Sequence, residues 1–337
     1  MRILLTGGCG FIGSHAIKEI LNDDTIEFLI NIDALTYSGH PANLAEISDP
    51  RYQFIHGSIN DGDLVLELLS NFDIDVVVNF AAESHVDRSI DSVSEFIETN
   101  VDGTRVILEA IVKKKKEGKE VHLIQVSTDE VYGSLGPDDA EFVEDTPLNP
   151  RNPYAASKAS ADLLVGSFVN THGISASITR CSNNYGPNQF PEKLIPLMTL
   201  NSIEGGDLPI YGDGKQIRDW IHVSDHVKGI LAVIRGLLGG TIESGEIFNF
   251  GAENEVTNIE IVKRIISITG ASEEQIVYVE DRPGHDRRYA MGYEKASKRL
   301  LWRPTVEWER GLEQTVKWYS ENVKWVDSVR TGEYRNW

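Results

Sequence analysis

The sequence predicts an α/β protein with a doubly wound parallel sheet and a smaller C-terminal α/β lobe. Its 337 residues exceed the usual size of a single hydrophobic core. Short apolar runs alternate with helical patterns through the first half of the chain, as in repeated β-α-β units. After about residue 185 this regularity gives way to loops and short elements. We therefore expect one domain over residues 1–184 and a lobe over 185–337, with some of the later chain returning to the first domain.

Six apolar runs are predicted to be strands buried on both faces, because parallel strands covered by helices are apolar throughout. In chain order they are RILLTG, FLINID, YQFIHG, DVVVNFA, HLIQVST and SASITR. Helical spacing of apolar residues fills the intervals between them. These segments are IGSHAIKEILN, GDLVLELLSN, VSEFIETNVDGTRVILEAIVKK and YAASKASADLLVGSFVNTHG. The alternation predicts helices on both sides of one sheet.

Composition excludes several classes of function. The net charge of −20, from 32 Lys+Arg against 52 Asp+Glu, disfavours a nucleic-acid partner, which needs a basic surface. Neither a signal-peptide core nor about 18 consecutive apolar residues occur, so we predict no membrane association and a cytoplasmic location. The two cysteines, Cys9 and Cys181, are predicted to be reduced thiols. We see no cluster of metal-ligating residues and predict no metal.

Glycines cluster in TGGCGFIGSH, directly after the first predicted strand. Gly8, Gly10 and Gly13 match G-x-G-x-x-G, and Gly7 gives the related G-x-x-G-x-x-G spacing. Such a turn brings backbone close to a pyrophosphate at a helix N-terminus. Asp33 ends the second predicted strand about 20 residues later, where a carboxylate accepts both ribose hydroxyls and repels a 2′-phosphate. A glycine turn that merely packs leaves Asp33 unexplained, so we predict a Rossmann-like domain that binds NAD rather than NADP.

Two further motifs follow predicted strands. In YAASK, Tyr154 and Lys158 lie at i and i+4 on one helix face, where an ammonium can lower the phenol pKa from about 10. In VSTDEVYG, Thr128, Asp129 and Glu130 follow the fifth predicted strand. An isolated Asp-Glu pair is usually a solvated turn. Here it lies at the strand ends that form the ligand crevice of such sheets, which favours a catalytic role.

These segments resemble the extended short-chain dehydrogenases, and within that family its nucleotide-sugar 4,6-dehydratases. The resemblance covers nearly the whole chain. The segments that carry it are TGGCGFIGSH, DALTYSGHPANL, NFAAESHVDRSI, VSTDEVYGSLG, NPYAASKASAD, TRCSNNYGPNQFPEKLIPL, YGDGKQIRDWIHVSDH and DRPGHDRRYA. Asp-Glu after the threonine is what other branches of the family generally lack. The resemblance implies NAD-dependent dehydration of dTDP-glucose to dTDP-4-keto-6-deoxyglucose.

The resemblance also implies a role for each catalytic residue. Tyr154 takes the proton of the C4 hydroxyl, and Lys158 holds the nicotinamide ribose. Glu130 removes the C5 proton while a protonated Asp129 protonates the departing C6 hydroxyl, so adjacent carboxyls take opposite roles. Thr128 hydrogen-bonds the sugar near O4.

Contacts to both ligands are implied in the same way. The NAD contacts are Gly7, Gly10, Phe11, Ile12, Gly13, Asp33, Ser58, Ile59, Ala81, Ala82, Ser84, Tyr154 and Lys158. The nucleotide-sugar contacts are Ser84, His85, Thr128, Asn183, Lys193, Leu194, Pro209, Tyr211, Arg218, Asn254, Arg282 and His285. Among these, Arg218, Arg282 and His285 match diphosphate-binding positions, which suit guanidinium forks. For Arg218 and Arg282, the alternative is a solvated arginine on the protein surface.

Other functions stay open on the same scaffold. A UDP-sugar 4,6-dehydratase, a 4-epimerase and a non-catalytic NAD-binding regulator are the alternatives. Epimerisation returns the hydride to C4 and needs neither a C5 base nor a C6 acid, so the Asp-Glu pair discriminates. Departures from the family pattern at Asn188 and Met291 leave the nucleoside and hexose open, and the departure at Ser58 concerns the cofactor contacts near the adenine. The resemblance further implies a homodimer joined through helices around residues 95–112 and 154–170 in a four-helix bundle.

Overall fold

The computed structural model describes residues 1–281 and 283–332. Its strands are β1 (Arg2–Thr6), β2 (Phe28–Asp33), β3 (Tyr52–His56), β4 (Val76–Asn79), β5 (His122–Thr128), β6 (Ala176–Cys181), β7 (Asn183–Tyr185), β8 (Leu208–Tyr211), β9 (Ile217–His222), β10 (Ile247–Phe250), β11 (Glu255–Thr257) and β12 (Ile276–Val279). Its α-helices are α1 (Phe11–Leu21), α2 (Gly62–Asn71), α3 (Val86–Asp91), α4 (Ser94–Phe96), α5 (Gly103–Lys116), α6 (Pro153–His172), α7 (Leu194–Glu204), α8 (Val223–Leu238), α9 (Asn258–Thr269), α10 (Glu294–Leu300), α11 (Trp308–Glu321) and α12 (Val323–Thr331). A π-helical turn, Ile97–Asp102, joins α4 to α5, and short 3₁₀ turns span Pro41–Leu44, Asp129–Tyr132 and Glu273–Gln275.

Seven parallel strands form the main sheet in the order β10-β6-β5-β4-β1-β2-β3. The six predicted strands all lie in it, but the prediction of burial on both faces is wrong for β3, which forms the edge of the sheet and leaves Gln53, Phe54 and His56 exposed. Alternate residues of each strand enter the cores on opposite faces, because successive strand side chains point in opposite directions. Ile3 and Leu5 join the core beneath α1 and α8, whereas Leu4 joins the core beneath α2 and α5. The doubly wound prediction is therefore confirmed.

β10 is the strand of the main sheet that the sequence did not predict. It pairs with β6 from Ile247 opposite Ile178 to Phe250 opposite Cys181. The chain reaches it after an excursion through the C-terminal lobe, and α8 packs against α1 on the way back. Residues beyond 185 thus complete the edge of the N-terminal sheet.

The C-terminal lobe contains two small sheets, β11-β9-β7 and β12-β8. Helices α7, α9 and α11 pack against them around an aromatic and aliphatic core that includes Tyr185, Trp220, Trp308 and Leu312. β9 runs directly into α8, whose buried residues belong to the core beneath the main sheet, so the lobe is joined to the main sheet through this helix.

Candidate active site

A cavity of about 640 Å³ opens at the carboxyl ends of the central strands. The strand order reverses between β1 and β4, which is where open α/β sheets form their ligand crevice. The predicted residues that line the cavity are Gly7, Gly10, Phe11, Ile12, Gly13, Asp33, Ser58, Ile59, Ala81, Ala82, Ser84, Thr128, Asp129, Glu130, Tyr154, Lys158, Asn183 and Lys193. The structure thus brings together the predicted catalytic set and the predicted cofactor set.

The glycine loop between β1 and α1 has no room for side chains on its packed side. Gly7 has φ +69°, and a Cβ there would lie 2.7 Å from the Ala81 nitrogen. A Cβ on Gly13 would lie 2.4 Å from the Gly7 oxygen, whereas one on Gly10 would meet only that oxygen, at 3.3 Å. Gly10 faces open space, and α1 begins there without a side-chain cap. Its first amide groups can therefore face a pyrophosphate, so the loop fits a dinucleotide.

Asp33 is held in a fixed orientation at the end of β2. It is buried, its Oδ2 accepts a hydrogen bond from the Cys9 nitrogen at 2.8 Å, and its Oδ1 accepts one from the Leu35 nitrogen at 2.8 Å. Each oxygen keeps lone-pair capacity for a ribose hydroxyl. Burial raises the pKa of Asp33, and the two backbone bonds oppose that rise.

Asp129 and Glu130 lie in different environments although they are adjacent. Asp129 is only 3% exposed, and the Thr128 hydroxyl donates to its Oδ1 at 3.1 Å. Its Oδ2 has no hydrogen-bond partner among the described residues. Glu130 is less buried and accepts a hydrogen bond from Asn152 Nδ2 at 3.1 Å.

Burial, and then the charge of Glu130, raise the pKa of Asp129 well above its usual range. Two neighbouring carboxyls in unlike surroundings can act as an acid and a base. The burial and raised pKa of Asp129 therefore suit a proton donor, whereas Glu130 is less buried and accepts a hydrogen bond from Asn152.

Helix α6 places Tyr154 and Lys158 in the cavity lining beside the Asp-Glu pair. Asn152 caps the helix by accepting from the Ala155 nitrogen at 2.8 Å, which fixes the first turn. Both Tyr154 and Lys158 are buried, and Lys158 Nζ donates to the Val126 oxygen at 2.7 Å.

The prediction that Lys158 and the positive charge of the nicotinamide together lower the pKa of the Tyr154 phenol concerns the protein with its cofactor, and it stays a prediction. Burial, and then the charge of Glu130, raise the pKa of Tyr154 well above its usual value. Burial also lowers the pKa of Lys158, whose ammonium is directed at a backbone carbonyl. Desolvation is the largest cause of both shifts, because the two side chains are buried.

Part of the predicted nucleotide-sugar set lies outside the cavity lining. These residues are His85, Leu194, Pro209, Tyr211, Arg218, Asn254 and His285. Arg282 lies outside the described residues. Lys193 does line the cavity, and its Nζ donates to the Ser84 oxygen at 3.2 Å, which joins the start of α7 to the loop after β4.

Arg218 lies on β9, outside the cavity lining. It is 5% exposed, so the surface-arginine alternative is wrong for this residue. Its guanidinium carbon lies 4.2 Å from the centre of the Tyr289 ring, and it donates to the Asp286 oxygen at 3.0 Å. Its charge lowers the pKa of Asp129, opposing the effect of burial, which places Arg218 close to that carboxyl.

Further predicted nucleotide-sugar contacts bond or pack within the C-terminal lobe. Tyr211 and His285 pack edge to face with ring centres 6.3 Å apart. Asn254 Nδ2 donates to the Trp220 oxygen at 3.1 Å. Met291 packs in a buried cluster with Phe142 rather than in the cavity lining, so this departure does not shape the cavity wall.

Several cavity residues were not predicted. The guanidinium carbon of Arg88 lies 4.0 Å from the centre of the Tyr37 ring. Both residues line the cavity, together with Glu83, Thr99 and Glu192. DALTYSGHPANL and FPEKL contain Tyr37 and Glu192, but neither segment carries a spacing that indicates a ligand. Thr99 lies in the π-helical turn, which the regular helical pattern concealed.

The part of the chain that the structure describes contains neither a candidate metal site nor a candidate membrane-spanning helix. No group of three or more His, Cys, Asp or Glu side chains there could hold a metal ion. No helix within residues 1–281 and 283–332 is both long enough and apolar enough to cross a bilayer.

Comparison with known proteins gives matches over most of the chain. The family model described as GDP-mannose 4,6 dehydratase matches residues 4–315. The dTDP-glucose 4,6-dehydratase 1 of Escherichia coli (strain K12) is 45% identical over 360 aligned residues, covering 100% of this chain and 98% of that protein.

Solved structures agree. The dTDP-glucose 4,6-dehydratase of Bacillus anthracis str. Ames in complex with NAD superposes with a TM-score of 0.87 at 46% identity, covering 98% of this chain and 99% of that one. The UDP-glucose 4-epimerase of Thermotoga maritima with UDP-glucose gives a TM-score of 0.86 at 29% identity, over 96% of this chain and 100% of that one.

Proposed function

The chain belongs to the family described as GDP-mannose 4,6 dehydratase, and we propose that it uses NAD to dehydrate dTDP-glucose to dTDP-4-keto-6-deoxyglucose. Relatives at 44–45% identity over nearly their full length carry the name dTDP-glucose 4,6-dehydratase. One of the similar solved structures of that name contains NAD. The glycine loop and Asp33 supply the matching cradle in this chain.

One observation carries the proposed chemistry, namely the contrast between Asp129 and Glu130. Water loss across C5 and C6 requires a base for the C5 proton and an acid for the C6 hydroxyl. Asp129, buried with an unpartnered Oδ2 and a raised pKa, suits the acid. Glu130, which accepts the amide hydrogen bond of Asn152, suits the base.

Tyr154 and Thr128 act at the C4 hydroxyl. NAD, when bound, supplies a reversible hydride acceptor and a positive charge beside the phenol. Tyr154 accepts the hydroxyl proton, assisted by the Thr128 hydroxyl, whose hydrogen bond lowers the pKa of Tyr154 against the effect of burial. Lys158 donates to the Val126 carbonyl and keeps two further N–H groups for the nicotinamide ribose.

The 4-epimerase alternative shares the fold but makes fewer demands on the site. It returns a hydride to C4 and needs no proton transfer at C5 or C6. Epimerisation therefore does not use a carboxyl pair in which burial raises the pKa of one member. A non-catalytic regulator needs neither carboxyl. The pair therefore favours dehydration over both alternatives.

The test is a panel of dTDP- and UDP-hexoses scored by product mass. We expect loss of one water from dTDP-glucose, and the best substrate identifies the preferred nucleoside. An isomer of unchanged mass would support epimerisation, and no turnover of any nucleotide hexose despite bound NAD would support the regulator.

We also propose a homodimer through the surface formed by the π-helical turn, α5 and α6. Leu163 is 65% exposed on α6, and Ile97 and Val93 are exposed in and just before the helical turns that pack against α6. Exposed apolar side chains grouped on packed helices are typical of a four-helix interface. Leu163→Asp should give a monomer in sedimentation, whereas Leu301→Asp, at an equally apolar exposed site on another face, should leave the dimer intact. A monomeric unaltered protein at working concentration would refute the proposal.

A further inference from the structure

The loop that follows β2 covers part of the cavity wall. This cofactor loop, residues 34–44, contributes Ala34, Thr36, Tyr37, Ser38 and Gly39 to the lining. It folds back onto Asp33, because a Cβ on Gly39 would lie 2.8 Å from Asp33 Oδ1. The loop therefore lies over the carboxylate that receives the ribose.

Asn43 fixes the far end of the cofactor loop to three separate parts of the chain. It is 3% exposed, and its Oδ1 accepts hydrogen bonds from Trp325 Nε1 on α12 at 2.8 Å and from Asn188 Nδ2 at 3.2 Å. Its Nδ2 donates to the Cys9 oxygen in the glycine loop at 2.9 Å. Because the Cys9 nitrogen bonds Asp33, a continuous path of hydrogen bonds joins α12 to the ribose site.

A second contact ties the same helix to the same loop. His40 Nε2 lies 2.9 Å from Ser328 Oγ on α12, and the His40 ring stacks on the Trp325 ring with centres 6.2 Å apart. The His40 nitrogen also donates to the Cys9 oxygen at 2.9 Å. Helix α12 thus contacts the cofactor loop at two residues, of which Asn43 bonds the glycine loop through its side chain and His40 through its backbone.

We propose that α12 acts through Asn43 as a clasp that slows release of the cofactor, with Asn43 and Trp325 as positioning residues. The inference rests on NAD as the cofactor proposed above, and not on the identity of the sugar. The proposed reaction removes a hydride from C4 and returns it to C6 of the same hexose, so the reduced cofactor must stay bound throughout each turnover. A clasp on the loop that covers the ribose site meets this requirement.

The experiment measures NADH release from the full-length protein. Protein loaded with NADH is mixed with excess NAD⁺, and the decay of nicotinamide fluorescence gives the dissociation rate without any turnover. Trp325→Phe keeps ring packing but removes the indole N–H, so we expect release about 2- to 12-fold faster, which corresponds to one net hydrogen bond. Asn43→Ala, which removes three bonds, should release NADH faster still.

Two comparisons separate the clasp from general loosening of α12. In an Asn43→Ala background, Trp325→Phe should add nothing, because the indole acts through Asn43. Arg330→Gln removes the ion pair of α12 with Glu204, which does not touch the cofactor loop, and should leave release unchanged.

The clasp is refuted if Trp325→Phe releases NADH at the unaltered rate, if its effect adds fully to that of Asn43→Ala, or if Arg330→Gln has the same effect. Failure of the unaltered protein to bind NADH would instead refute the proposed cofactor.

Discussion

Asp129→Asn should remove most of the dehydration activity and at the same time make the protein more stable at neutral pH. Asparagine has the shape of the protonated carboxyl. Its Oδ1 can accept the Thr128 hydroxyl as Asp129 Oδ1 does, and its amide can occupy the place of the unpartnered Oδ2. The variant therefore keeps the packing of the site and loses only the proton.

The sign of the stability effect follows from the raised pKa of Asp129. In the unfolded chain this carboxyl loses its proton near pH 4, whereas in the folded protein it keeps the proton to higher pH. The stability of the unaltered protein therefore falls as pH rises from about 4 through the folded pKa. Asparagine has no such proton, so the advantage of the variant should grow over that interval and then stay constant.

The kinetic effect should be large. A general acid typically contributes about 100- to 10,000-fold, or about 3 to 5 kcal/mol of barrier. Oxidation at C4 does not use Asp129, so NADH absorbance should build up while little dehydrated product appears. Asp138→Asn, on the exposed loop beyond the 3₁₀ turn, is the matched control and should change neither property. Wild-type product formation by Asp129→Asn, or a stability advantage that shrinks with rising pH, would refute the reasoning.

Three other substitutions address the remaining steps. Glu130→Gln should slow exchange of the C5 hydrogen with deuterated solvent by about 100- to 10,000-fold, and exchange at the normal rate, measured by mass spectrometry, would remove Glu130 as the base. Tyr154→Phe should abolish formation of NADH on mixing with substrate while thermal unfolding stays cooperative; near-normal turnover would exclude the phenol. Asp33→Ala should weaken NAD binding, because the ribose hydroxyls and the Cys9 and Leu35 amides lose their acceptor. It should also reduce the preference for NAD over NADP, because no carboxylate is left to repel a 2′-phosphate. Unchanged relative affinities in a cofactor titration would count against that role.

The features that were predictable from the sequence are those fixed by local pattern. Five of the six predicted strands are buried almost throughout, and burial on both faces makes their sequences largely apolar, whereas the edge strand β3 is largely exposed. The glycine spacing and the position of Asp33 predicted the cofactor cradle, since both follow from the geometry of one β-α-β unit. Asp129 and Glu130 were found because they follow such a strand at once.

Features that depend on contacts between distant parts of the chain could not be predicted from local sequence patterns. The β10 segment IFNF lies beyond the regular alternation of strands and helices in the first half of the chain, and its strand state depends on pairing with β6. The burial of Arg218 and the raised pKa of Tyr154 depend on tertiary packing that no local pattern encodes. The bond between Asn43 and Trp325 joins residues 282 positions apart.

The late position of β10 governs how the protein can be made. Until residue 250 has left the ribosome, β6 is an edge strand whose fully buried residues and unpaired peptide groups face solvent. At typical synthesis rates the roughly 70 residues between the two strands take about 3 to 14 s, long enough for a nascent chain to need chaperone protection. A gene cut after residue 184 should therefore yield an aggregating fragment, and a soluble cofactor domain would have to carry a strand equivalent to 247–250.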